Sequence, residues 1–87
     1  MPTPIPDLIA RIIGRRARHR AVARRYASEI ERHSRQVTLE VGRDQNHAAT
    51  TLLFQMLDHI HRLQGELRAI SVIDEITPEA RREGMAA

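Results

Sequence analysis

Seven arginines stand within the first 25 residues, at positions 11, 15, 16, 18, 20, 24 and 25, against a single acid, Asp7. A guanidinium is a planar, permanently charged fork that grips two phosphate or carboxylate oxygens at once. On a helix, Arg11, Arg15, Arg18 and Arg25, continued by Arg32, fall at offsets 0, 4, 7, 14 and 21 and make one stripe. Arg16, Arg20 and Arg24 make a second stripe at i, i+4 and i+8. The two stripes flank the apolar side of the same helix, so side chains from both flanks reach toward the phosphates of a nucleic-acid groove. No Asn, Gln or aromatic residue interleaves Arg11 to Arg25, which favours phosphate contact over base readout. The expected chemistry is therefore nucleic-acid binding, DNA or RNA, through Arg11, Arg15, Arg16, Arg18, Arg20, Arg24 and Arg25.

The charge is polarised along the chain. Formal net charge is +3, and all 14 basic residues are arginine. Residues 1–25 carry +6, residues 26–43 balance three arginines with three glutamates, and residues 44–87 carry −3. In composition, the run from Arg15 to Arg25 resembles the arginine-rich helices that enter structured RNA or a DNA major groove. It defines no family. A competing expectation follows from the same polarity. If the chain folds as an antiparallel hairpin turning near residue 43, position i faces roughly 86 − i. Arg11 to Arg20 then lie opposite 66–75, which contain Glu66, Asp74 and Glu75, with Glu79 and Glu83 beyond. The basic front would be neutralised in part by the acidic back, or would meet an acidic protein surface. A lesser alternative is an anionic membrane surface, approached by Ile5, Leu8, Ile9, Ile12 and Ile13 ahead of the arginines. The lack of an aromatic at that edge weighs against it.

The remaining polar residues point away from catalysis. There is no cysteine, which removes disulfides and thiolate chemistry, and no Gly-rich phosphate loop. Histidines chelate from one helix face at i and i+4, whereas His59 and His61 are two apart and His19 and His33 two heptads apart. Neither a metal site nor a cofactor is expected, and His19 and His33 read as residues that fix helix register. The chain reads as non-catalytic, soluble and cytoplasmic. Its apolar runs are too short to span a bilayer, and its first residues lack the pattern of a secretory signal.

These side chains must be positioned by helices. Pro2, Pro4 and Pro6 predict an extended arm over 1–6, with Asp7 opening a helix over 7–41. Leu8, Ile9, Ile12, Ile13, Ala23, Tyr26, Ala27, Ile30 and Val37 lie on one face, interrupted by Arg16, His19 and Arg20. Residues 37–41, Val-Thr-Leu-Glu-Val, alternate like a short strand, but a lone strand has no partner in this chain and helix is favoured. Gly42 is expected as a C-cap glycine, with a turn over 42–44. A second helix follows over 45–73. In it Leu53, Met56, Ile60, Leu63, Leu67 and Ile70 run at spacings 3, 4, 3, 4 and 3, the pattern of a coiled-coil seam, and are expected to form an oligomer interface. Thr77-Pro78 opens a short third helix over 78–83 within a tail over 77–87.

The resulting fold class is all-α. Two long antiparallel helices form a hairpin, with a short C-terminal helix. A chain of 87 residues in this form buries little, so completion as a dimeric bundle or coiled coil, or docking on a larger partner, is expected.

Overall fold

The computed structural model describes residues 5–78 and residue 82. Helix α1 spans Ile5–Gly42 and helix α2 spans Asn46–Ile76. At 1.5 Å per residue they run about 57 Å and 46 Å, and they pack along each other as an antiparallel hairpin. α1 begins two residues earlier than the composition suggested. Ile5 and Pro6 are helical, which proline tolerates because a first-turn N–H has no intrahelical acceptor. Residues 1–4 of the expected arm, and the 79–81 and 83–87 portions of the expected third helix and tail, lie outside the described residues; Pro78 and Arg82 are helical. Residues 37–41 are helix.

The turn is built differently from its expected form. Gly42 ends α1 without a positive φ, and the left-handed residue is Asp44, with φ 59°. Around it the amide of Gln45 donates to the Glu40 carbonyl at 2.8 Å and that of Asp44 to the Val41 carbonyl at 3.1 Å. That hydrogen-bond pair is a Schellman closure, with an aspartate at the position usually held by glycine. Gln45 then precedes α2 without a side-chain cap bond.

The two helices meet along rows spaced alternately by three and four residues. On α1 the row is Ile9, Ile12, Arg16, His19, Ala23, Tyr26, Ile30, His33, Val37 and Glu40. On α2 it is Ala49, Leu52, Met56, His59, Leu63, Glu66, Ile70 and Ile73, continued by the C-cap residue Thr77. Every one of these side chains is buried or half-buried. The expected apolar seam of α2 therefore divides. Met56, Leu63 and Ile70 face α1, whereas Leu53, Ile60 and Leu67 lie one position around the helix, with Leu53 and Leu67 exposed. Polar side chains explain the shift, since His59 and Glu66 occupy seam positions that hydrophobic periodicity passes over.

The hairpin is a rod of 63 × 23 × 18 Å with a radius of gyration of 18.1 Å, against about 12 Å for a compact chain of this length. Among apolar side chains only Ala23 and Ala49 are buried within the described residues, and neither completely. Polar pairs thus carry much of the register between the helices.

Candidate nucleic-acid interface

The heptad row of α1 sorts the seven N-terminal arginines. Arg16 falls in the seam; the other six are exposed. Arg11, Arg18 and Arg25 recur every seven residues on one side of the outward face of α1. Arg24 lies on its other side, and Arg15 and Arg20 sit at the two rims. Between them runs a ridge of small exposed residues, Gly14, Ala17, Ala21 and Ser28. The arginine stripes therefore frame this outward ridge as well as the apolar side, and α2 occupies the apolar side. Arg11 to Arg25 covers about 21 Å of helix, roughly six base-pair steps at 3.4 Å. None of the six exposed arginines has a carboxylate partner among the described residues.

Arg16 behaves otherwise. Its Nε donates to Oδ1 of Asp74 at 2.7 Å and its Nη2 to Oδ2 at 3.3 Å, a two-pronged pair joining the helices near the open end of the hairpin. The Arg16 side chain is only 9% exposed and that of Asp74 20%. The hydrogen bond it donates to Asp74 raises the guanidinium pKa above its ordinary value, and the group is not presented to an outside ligand. Arg32, next on the stripe after Arg25, is also engaged. It donates to Glu29 one turn earlier, and that hydrogen bond holds the Glu29 carboxyl below its ordinary range.

The expected pairing of the basic front with residues 66–75 is present in part. Arg16 meets Asp74, and His19 Nδ1–H donates to Oε2 of Glu66 at 2.5 Å. Glu75 has no ion-pair partner among the described residues. Beside the His19–Glu66 contact lies an open groove of about 430 Å³, lined by Arg15, Arg18, His19, Val22 and Glu66. Two guanidinium groups over this groove suit an anionic oxygen cluster.

His19 and His33 occupy seam positions of α1. His33 is buried. Its Nδ1–H donates to the Glu29 carbonyl at 2.7 Å, and its Nε2 lies 3.1 Å from Oε1 of Gln55. His59 approaches from α2, with ring centroids 5.2 Å apart, and meets Tyr26 edge-on at 5.9 Å. Arg62 lies on the same side. Hydrogen bonding to Tyr26, and then the charge of Asp58, raises its pKa. Neither the His33–His59 contact nor the Tyr26–His59 contact was visible from spacing within one helix; only the antiparallel facing rule, which sets 26 against 60, pointed toward the second. No group of three metal-capable side chains gathers among the described residues.

Comparison with known proteins finds no match, whether among family models, curated proteins or solved structures. Fold and site together define an all-α helical hairpin with a cationic outward face on its first helix. No helix among the described residues is long and apolar enough to cross a membrane.

Proposed function

We propose that the outward face of α1 binds nucleic acid, largely through phosphate contacts from Arg11, Arg15, Arg18, Arg20, Arg24 and Arg25. One observation carries this reading. Six of the seven arginines stand exposed around a ridge of small residues without a carboxylate partner among the described residues, while the seventh is bound to Asp74. A structural role alone would have drawn more of them into cross-helix pairs. The small ridge lets a sugar-phosphate backbone approach the helix closely. Binding is expected to depend little on base sequence. The protein acts without catalysis and without a cofactor in this reading. Because two helices bury so little apolar surface, we also propose that it works as a dimer.

The test is a mobility-shift series against salt, with duplex DNA, structured RNA and anionic vesicles as separate ligands. Six phosphate contacts predict a fall in affinity on the order of 10³-fold between 50 and 200 mM salt. Absence of binding to either nucleic acid at low salt refutes the proposal. An acidic protein surface would remain as the target of the same guanidinium array, and its binding would not be displaced by competing duplex.

A further inference from the structure

The groove between the helices carries charges of both signs. Arg15, Arg18, His19 and Val22 fall at i, i+3, i+4 and i+7, so one face of α1 lines it, and Glu66 closes it from α2. Neither guanidinium group has a carboxylate within ion-pair distance among the described residues, Glu66 included. The Glu66 carboxylate is held instead by His19, whose Nδ1–H donates to Oε2 at 2.5 Å. That bond occupies one oxygen. Oε1 has no hydrogen-bond partner among the described residues, and the side chain keeps 23% of its exposure.

A groove that bound phosphate alone would have no use for this acid, because a carboxylate weakens the pull of neighbouring guanidinium groups on any bare anion. A ligand gains from Glu66 only by carrying a hydrogen-bond donor next to its phosphate. A ribonucleotide does so: its 2′-hydroxyl stands on the carbon beside the one that carries the 3′-phosphate. A hydroxyl donating to a carboxylate makes a charge-assisted bond, stronger than a neutral one. Base amino groups are the other donors of a nucleic acid, but pairing engages them within a stem. The hydroxyls, by contrast, line the wide and shallow minor groove of an A-form helix, and DNA lacks them. The volume of about 430 Å³ lies near the lower end of ligand sites, about 300–1,000 Å³. It has room for a sugar with its phosphate and not for a base-paired segment.

We propose that this groove seats one ribose–phosphate unit and that RNA is therefore the nucleic acid the protein prefers. Arg15 and Arg18 take the phosphate, and Oε1 of Glu66 accepts from the 2′-hydroxyl. His19 is a positioning residue that fixes the carboxylate through Oε2. The assignment rests on the nucleic-acid reading above and narrows it. Every ribonucleotide carries the hydroxyl, so the preference is for the sugar and is compatible with little dependence on base sequence.

The test is a binding titration of the full chain against one stem-loop sequence prepared as RNA, as 2′-fluoro RNA and as DNA. Fluorine keeps the A-form sugar pucker but removes the donor, so the first two forms isolate the hydroxyl from helix shape. RNA should bind about tenfold tighter than either other form. Glu66→Met should bring RNA down to the affinity of the 2′-fluoro form while DNA binds no more weakly than before. A purely structural role for Glu66 in holding His19 would weaken all three forms alike, and that outcome overturns the proposal. Glu75→Gln changes an exposed acid that does not line the groove and should leave the RNA advantage intact. The comparison of RNA with 2′-fluoro RNA needs no variant, so it decides even where Glu66→Met loses helix content. Equal affinity for those two forms overturns the hydroxyl assignment and leaves the nucleic-acid reading in place. An RNA advantage that persists in a helical Glu66→Met protein overturns the assignment to this groove. Failure of all three forms to bind at low salt removes the nucleic-acid reading itself, and this assignment with it.

Discussion

Removing Asp74 should cost more than removing Arg16, although the two share one ion pair. Asp74→Leu leaves the Arg16 guanidinium, 9% exposed, without its acceptors. Breaking a buried pair from one side costs about 3–5 kcal/mol. The 20% exposure of Asp74 admits some water to the vacated site, which brings the expected loss to about 2–3 kcal/mol. Arg16→Met leaves the better-solvated carboxylate behind and fills the space with an apolar chain. Its cost should be about 1–2 kcal/mol. The double change Arg16→Met/Asp74→Leu removes both charges and should return to within about 1 kcal/mol of the parent. Urea unfolding followed by helical circular dichroism measures all four proteins. Unchanged denaturant slopes would show that stability rather than compactness moved. The cycle should yield a coupling of about 2 kcal/mol or more. Single changes below about 0.5 kcal/mol with negligible coupling would place the pair in solvent, and the account of a polar seam setting the register would be wrong.

Three further outcomes follow from the same geometry. Gly14 and Gly65 lie inside helices with nothing within 4 Å of an added Cβ, so Gly14→Ala and Gly65→Ala should each stabilise by about 0.8–1 kcal/mol. That gain raises the thermal midpoint by about 4–8 °C apiece, and a fall in either midpoint would contradict the open surroundings. His33→Ala removes the Nδ1–H bond to the Glu29 carbonyl and the cross-helix contact with Gln55 and should cost about 2 kcal/mol; a loss under about 0.5 kcal/mol would show these contacts to be idle. The Arg32 hydrogen bond, followed by the charges of Arg32, His33 and His59, holds the Glu29 carboxyl below its ordinary 4.5. A carboxyl depressed by folding stabilises the native state above its unfolded value and loses that contribution as pH falls through the folded one. Glu29→Gln should therefore flatten the stability profile below 4.5, and a Glu29 titration midpoint at or above that value by NMR would refute the pairing.

Much of the hairpin was legible from the residues, and the reason is periodicity. Apolar spacing of three and four marks both helices, and the break around Gly42 to Asn46 marks the turn. The antiparallel rule brought Glu66 within one residue of the position facing His19 and Asp74 within about one helical turn of Arg16. The choice of seam on α2 was not legible, because heptad spacing fits two adjacent rows equally well. Leu53, Ile60 and Leu67 look more apolar than His59 and Glu66, yet the polar pair faces α1 because partners wait there for both. A buried polar residue signals its position only through a partner on another helix, which a single helical pattern does not contain. The same holds for His33 and His59. Asp44 escaped notice for another reason: a glycine two residues earlier offers the commoner left-handed cap, and the hydrogen-bond closure alone selects between them. For the arginines, composition identified the group, and the fold separated Arg16 from the rest.

The salt dependence of duplex binding, compared across three proteins, tests the outward arginine ridge most directly. The parent should show a slope of log affinity against log salt of about −5, and Arg18→Ala/Arg25→Ala should flatten it by about 0.9 per arginine. Arg16→Met/Asp74→Leu, which alters only the seam pair, should leave the slope unchanged. A parent slope shallower than about −1, or equal flattening by the seam variant, would contradict the assignment of phosphate contact to the exposed arginines of α1.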